Sequence, residues 1–474
     1  MRITNGIMIN NSLNNINRNK KLMDKLNTQL ATTKKIQRPS EDPIVAIRAL
    51  RLRSTYNEIE QYLEKNIPDA RSWMETTQEA IESINSVLTE VSYYCNQGVN
   101  GYNTVEERNT LITTLSQLRD QIYSDGDADL VDRTIFTGYK TDSTLTFMED
   151  EPNTHYKITE EFTAEDIKNT NRIFGLNIDN ITDSPVADVV NNEHHVLYLG
   201  YKDIDSVDSI TIGDTTYTVT RRSTADNSVY LGVGAGAIVY VEETGEILLG
   251  QNAYNAMTSG NKMTVNYQKT GFVTGDLRPE HYFECTNTTK NVTYKSESQP
   301  INYTINFNQQ ITINTQARDV LPHAIGRDLD ELINNVTVAV DVQNKIQTLN
   351  KRLETEEDEA TRKSLNYMME ALELELSYAE ANMKNAFSAA IGDYKAHQEK
   401  LSIEVSDIGA RLIRLSLNEE RLTTQQLNVE DLKSKNEEIE EENVAVEWAA
   451  AQSVYDASLS TAAKVVQKSL LDYL

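Results

Sequence analysis

The sequence predicts an α+β multidomain protein: an α-helical coiled-coil bundle formed by the N- and C-terminal segments, with an inserted β-rich domain. Three observations carry this. Apolar residues recur on a 4,3 spacing near both ends of the chain, the period falls to 2 in the middle, and glycine and proline are scarce, 19 and 8 among 474 residues. Punctuation that sparse leaves room for long uninterrupted helices.

The first helix carries Ile9, Leu13, Ile16, Met23 and Leu30 as a coiled-coil seam, which Lys20 and Asn27 interrupt and Leu22, Leu26 and Ile36 widen. It should stop near Gln37, because Pro39 biases its predecessor away from the α region. Ser40-Glu-Asp-Pro43 then offers an N-cap, first-turn acids and a proline where no amide partner is needed. A second helix runs from about Pro43, is interrupted or kinked at Pro68, and resumes with Met74, Ile81, Ile84, Leu88, Val91 and Cys95. Gly98 and Gly101 end it, and Thr104-Val-Glu-Glu107 reads as the capping box of a third, which stops in Ser124-Asp-Gly-Asp127.

From Ile135 to about Pro322 the pattern is strand-like. Ile210-Thr-Ile212 and Tyr217-Thr-Val219 flank a Gly213-Asp214 turn; Val239 to Val241 and Ile247 to Leu249 flank Glu242 to Gly245; and Ile301, Tyr303, Ile305 and Phe307 alternate with polar partners. The helical period returns with Leu329, Ile333, Val336 and Val340 and continues through Leu365, Met369, Leu372, Leu376, Ala379, Met383, Ala386 and Ala390. Between these runs, Glu354 to Glu359 is either a helix-hairpin tip or a solvated helix face. Leu432, Ile439 and Val446 lie seven apart, as do Leu459, Val466 and Tyr473 in a new phase, which predicts local unwinding or a changed partner. The expected domains are 1–40 plus 430–474 (terminal coiled coil), 41–134 plus 323–429 (helical bundle) and 135–322 (β-rich, outer).

Charge assigns the partner of the first helix. Residues 2–38 hold eight Lys/Arg against one Asp, a net of +7, whereas residues 428–447 hold eight acids against two lysines, a net of −6. Exposed pairs contribute only ~0–1 kcal/mol each, so charge selects the pairing and apolar burial stabilises it. The whole chain, at −27, repels phosphate backbones, which speaks against nucleic-acid binding. No apolar run approaches the roughly 20 residues of a membrane span, so membrane insertion is excluded, and the N-terminus lacks the apolar core of a secretory signal.

Chemistry-bearing motifs are missing. Two cysteines and six histidines offer little for disulfides, metals or acid–base work, and no cofactor, metal site or catalytic residue is assigned. His194-His195 does not form a His-Glu-x-x-His site and reads as a surface feature. Asp125 to Asp129 starts like a calcium loop, but Leu130 stands where glycine is needed and Phe136 where the bidentate glutamate should be. Gly232 to Gly236 reads as a glycine-rich loop, and the paired glutamates 437–438 and 440–441 read as a solvated helix face.

Five segments together resemble the bacterial flagellar axial proteins, specifically the FlgL family of hook-filament junction proteins, which are flagellin homologues. They are Met1 to Thr4; Arg38-Pro39-Ser40-Glu41-Asp42-Pro43; Arg133-Thr-Ile-Phe136-Thr-Gly138; Asp407-Ile-Gly409-Ala-Arg411; and Ala457 to Leu474. The resemblance implies a non-enzymatic, structural component of the flagellum, exported unfolded through the type III channel and placed at the joint between hook and filament. The partners it implies are further copies of the chain in a ring or helical assembly, flagellin, a neighbouring hook-associated protein of the FlgK type and an export chaperone. Ile9, Leu13, Ile16, Met23, Leu30, Leu459, Val466, Leu470, Leu471, Tyr473 and Leu474 would form the assembly interface. Residues 1–38 and 430–474 are expected to be disordered in the free monomer and to fold on assembly, because isolated helices bury little of their stripe. Flagellin itself is the first alternative; an intracellular coiled coil and a secreted hydrolase are remoter ones.

Overall fold

The computed structural model describes residues 5–101, 104–179, 185–224 and 229–467. The chain groups into two compact units. One comprises residues 1–69, 304–310 and 413–474, and the other residues 70–303 and 311–412. These divisions differ from those at 40 and 430, because the helix after Pro43 and the last turns of the longest helix group with the terminal pair.

In the terminal unit, α1 (Asn5–Thr32) ends five residues before Gln37. Thr33 takes the left-handed region at φ +57, and the chain beyond it pairs as a short strand with residues 437–439. α2 (Pro43–Gln61) is capped by Asp42 rather than Ser40: its carboxylate accepts from the Ile44 and Val45 amides at 3.0 and 3.1 Å, with Pro43 in the first turn. The interruption expected at Pro68 is a π-turn, Tyr62–Asn66, leading into α3 (Ile67–Asn100). Proline has no amide and its ring crowds the carbonyl four residues back, so the helix admits one extra residue ahead of it.

In the second unit, α3 passes through Gly98, where a Cβ would sit 2.6 Å from the Phe387 ring; Gly98 therefore marks a close helix approach, and the helix ends at Asn100. α4 (Val105–Gly126) begins at the expected capping box, Thr104 and Glu107 bonding each other's amides at 3.2 and 3.1 Å. The strand region starts later than Ile135. Its strands are β1 (Tyr156–Phe162), β2 (Lys168–Phe174), β3 (Val190–Tyr198), β4 (Ser206–Ile212), β5 (Thr215–Tyr217) and β6 (Val219–Arg222). β7 (Ile238–Val241) and β8 (Glu246–Leu249) follow, then a short α5 (Gln251–Thr258) and β9 (Met263–Lys269). β10 (Glu284–Asn287), β11 (Val292–Tyr294), β12 (Asn302–Asn306) and β13 (Gln309–Thr312) complete the strands.

One sheet has the order β11-β10-β1-β9-β4-β5, a second β2-β3-β8-β7-β6, and β12 with β13 forms a hairpin. Both expected hairpins are present, with Ile210 opposite Tyr217 and Val239 opposite Leu248. The two larger sheets enclose a common core of Ile158, Leu197, Ile210, Ile247, Val265, Tyr267 and Phe272. His194 is buried on β3, its Nε2 3.0 Å from the Tyr230 carbonyl, and His195 stacks on Tyr254; the surface reading of this pair is corrected for His194.

After a turn of helix, α6 (Ala317–Val320), the chain enters α7 (His323–Thr355) and α8 (Glu359–Glu437), and α9 (Glu441–Gln467) is the last helix. Glu356 to Asp358 is thus a hairpin tip, in which the Asp358 carboxylate accepts from the Thr361 amide at 2.8 Å. The α7–α8 hairpin anchors the β2–β3 connection. Leu176 and Val189 pack against Leu349, Leu365, Met368 and Leu372. The Leu176 amide donates to Glu375 at 2.8 Å, and Lys345 bridges Glu375 and the Leu176 carbonyl.

Candidate assembly interface

The candidate site is the pair of terminal helices, α1 against α9, and the joint that precedes α9. On α1, Leu26 is buried, and Ile9, Ile16, Met23 and Leu30 are half-buried at the seven-residue spacing. Leu13 departs from that seam and is 51% exposed. On α9 the inward positions are Val444, Trp448, Ala451, Tyr455, Ser458 and Ala462, again on a 4,3 alternation. Asn19 donates to the Ser458 hydroxyl at 3.0 Å across the pair.

The large aliphatic residues expected to form the α9 stripe lie elsewhere. Val446 is 70% exposed and Leu459 43% exposed. Val466 falls within the helix, but its side chain lies outside the described residues, as do Leu470, Leu471, Tyr473 and Leu474 entirely. The inward α9 face is hard to see in the sequence because two alanines and a serine occupy it; the 4,3 spacing of Val444, Trp448, Ala451 and Tyr455 is the signal that reveals it. Ile7, Met8, Leu13 and Leu22 on α1, with Val446, Val454 and Leu459 on α9, leave an apolar surface that this pair does not cover. A groove of about 650 Å³ along the pair is lined by Met23, Lys20, Lys21, Asp24, Trp448 and Tyr455.

Charge joins the basic segment 2–38 to the acidic segment 428–447 beyond the end of α1, through Lys34 with Glu437 and Glu438. Among the described residues no ion pair joins α1 to α9. The ion pairs gather at the joint, where Glu437 accepts Arg53 Nε and Nη2 at 2.7 and 2.5 Å and stands 3.7 Å from Lys34 Nζ. Lys34 also reaches Glu438 at 3.0 Å, which in turn accepts from Ser434 at 2.7 Å. The paired glutamates 437–438 are therefore not a solvated face. The Arg53 guanidinium holds the Glu437 carboxyl below the usual carboxylate range, and Lys34 adds to it. Asn436 donates to the Val45 carbonyl at 3.1 Å, tying the end of α8 to α2.

The motif residues serve three local structures. Pro39 and Ser40 lie in the exposed turn that leads to the Asp42 cap and Pro43. Arg133 lies over the Trp73 ring at 5.3 Å, Phe136 is buried with its carbonyl accepting from Ala317 at 2.9 Å, and Gly138 takes φ +67 beside Gln299, whose oxygen accepts from the Tyr139 amide at 2.8 Å. Gly409 leaves open space on α8, and Arg411 ion-pairs with Asp407 and donates to the Thr312 and Asn314 carbonyls at 3.3 and 3.4 Å. Burial pushes both thiols, Cys95 and Cys285, up to about 12, so neither is a reactive nucleophile. Among the described residues no cluster of three metal-ligating side chains occurs, and no helix is long and apolar enough to cross a membrane.

The chain is similar to several known proteins. Residues 3–141 match the family described as bacterial flagellin N-terminal helical region. The flagellar hook-associated protein 3 of Salmonella typhimurium is 29% identical over 152 residues, which is 30% of this chain and 45% of that protein; the match thus spans less than half of the curated relative. The resemblance to flagellar axial proteins read from the residues is found again in both matches, and that to the hook-associated family in the second. Among solved structures, a flagellar hook-associated protein of Vibrio parahaemolyticus aligns over 84% of this chain and all of its own, at 13% identity and a TM-score of 0.37. The junction protein FlgL of Legionella pneumophila aligns over 83% and all of its own, at 10% identity and a TM-score of 0.28.

Proposed function

We propose that this chain is a structural, non-enzymatic component of the bacterial flagellum, acting as a hook-filament junction protein outside the cell. The observation that carries the reading is the terminal helix pair: α1, within the flagellin-like N-terminal region, and α9 both expose apolar residues, which further copies or neighbouring axial proteins would cover. The partners that follow are copies of this chain, flagellin on one side, a neighbouring hook-associated protein on the other, and an export chaperone beforehand. Leu26 is the one large side chain fully buried in the pair among the described residues. Burying it contributes only about 1.5–3 kcal/mol, so the pairing is marginal in the monomer and is completed on assembly.

Three measurements test this. Immunogold electron microscopy on flagellated cells is expected to label a single band at the distal end of the hook; labelling along the whole filament would instead identify the chain as flagellin. Hydrogen exchange in the free monomer is expected to be fast at Leu13 to Leu30 and slow after assembly, and equally slow exchange in both states would refute ordering on assembly. Truncation of Leu470 to Leu474 should abolish assembly with the second unit still folded.

A further inference from the structure

The break between α8 and α9 occurs where the sequence favours none. From Lys433 to Val444 there is no glycine or proline, and glutamate and lysine predominate, both good helix formers. An unbroken helix would send the Ile439 amide to the Lys435 carbonyl and the Glu441 amide to the Glu437 carbonyl. In the structure the Ile439 amide donates to the Thr33 carbonyl at 3.0 Å, and the Glu437 carbonyl accepts from the Lys35 amide at 2.8 Å. The Lys35 ammonium donates to the Lys435 carbonyl. Three groups that would bond within the helix are each taken by the segment leaving α1. The helix is therefore opened by exchange of partners, with few hydrogen bonds lost.

A second, independent observation points to the closed arrangement. Leu432, Ile439 and Val446, seven apart, would share one face of a continuous helix. In the broken form Leu432 is 53% and Val446 70% exposed, so the stripe is divided and largely uncovered. Opposing closure, Glu437–Glu441 and Glu438–Glu442 would stand at i,i+4 and repel. Arg53 and Lys34 hold Glu437 and Glu438 at the mouth of the break. Closure in turn releases Thr33 from its left-handed conformation, which suits a β-branched residue poorly.

We propose that residues 438–440 form a two-state joint: broken while Thr33–Lys35 is docked, and a continuous α8–α9 helix when that segment leaves. When α1 undocks, the chain from Leu432 to Val446 passes into helix and not into coil, and α9 is re-aimed relative to the end of α8. Because the α1–α9 pairing is marginal in the monomer, the free chain populates both states of the joint, and the substitutions below shift their proportions.

The test is the ¹³Cα shift of Ile439 in the full-length protein with isoleucine-selective labelling, its signal identified by loss in Ile439→Leu. Lys35→Pro keeps an extended backbone at residue 35 but removes the amide that reaches Glu437, and is expected to move Ile439 to helical values. Glu441→Pro places proline in the first turn of α9, where it is tolerated, and forbids the continuous helix; Ile439 is expected at non-helical values there. The milder Arg53→Gln should shift the signal in the same direction as Lys35→Pro by a smaller fraction. An extended or random-coil Ile439 shift in Lys35→Pro, or one indistinguishable from that of Glu441→Pro, would overturn the joint.

Discussion

The terminal helix pair and the β-sandwich use similar apolar residues and reach opposite outcomes. β9 alternates Met263, Val265, Tyr267 and Lys269 inward along its whole length, and the first three are fully buried. α1 carries nine large apolar residues over 28 positions, yet buries one of them. A strand has two faces, and one opposing sheet satisfies the apolar one. A helix with a stripe as wide as that of α1 needs neighbours on more than one side. The sandwich therefore covers its apolar faces within one chain, whereas the terminal pair leaves apolar residues of both helices exposed.

Substitutions can break this contrast at three levels. The largest effect is expected from Phe272→Ala, which removes the ring stacked on Phe147 at 4.8 Å in the sandwich core; about 3–5 kcal/mol should be lost, read as the denaturation midpoint of the free chain. A loss below about 1 kcal/mol would show that the core is not close-packed.

The sandwich also holds a buried carboxyl, Glu160, which accepts from the Tyr267 hydroxyl and, at 3.0 Å, from the Gly200 amide. Burial pushes it up from 4.5 to about 7. The folded state then binds more protons than the unfolded one between those values, so this group lowers stability as pH rises across that window. Glu160→Gln should raise stability by about 3 kcal/mol at pH 8 and change little near pH 4.5, measured as paired melting curves. Equal effects at both pH values would mean that the carboxyl is not held neutral.

Leu26→Ala should cost least, about 2 kcal/mol, because its surroundings are open enough to relax. That loss should appear in hydrogen exchange of α1 and α9 in the assembled form and leave the sandwich unaffected. Global destabilisation would contradict the independence of the two regions.

Elements governed by neighbours in the chain are legible in the residues. The capping box at Thr104, the hairpin between Ile210 and Tyr217, the interruption before Pro68 and the half-buried spacing of Ile9, Ile16, Met23 and Leu30 all follow from local periodicity or backbone chemistry. Partner-dependent features are not. Ser40 and Asp42 are both good caps, and only the geometry of the turn selects Asp42. His194 has nothing around it in sequence to show that the Tyr230 loop covers it. The α9 face of alanine and serine is inconspicuous until α1 lies on it.

The residues alone determined that the chain is helical near both ends and that the middle is β-rich. These depend on period and composition, which act within a few residues. Tertiary structure decided where α1 stops, where α8 breaks, and which charges meet. The net values of +7 over 2–38 and −6 over 428–447 anticipated an attraction between those segments, but not its place: the ion pairs converge on Glu437 and Glu438, from Lys34 within the basic segment and from Arg53 outside it. A charge at a helix surface has many candidate partners within reach. Only the packed backbone brings one of them within 3 Å, and at the joint that backbone is supplied by a segment about 400 residues away in sequence.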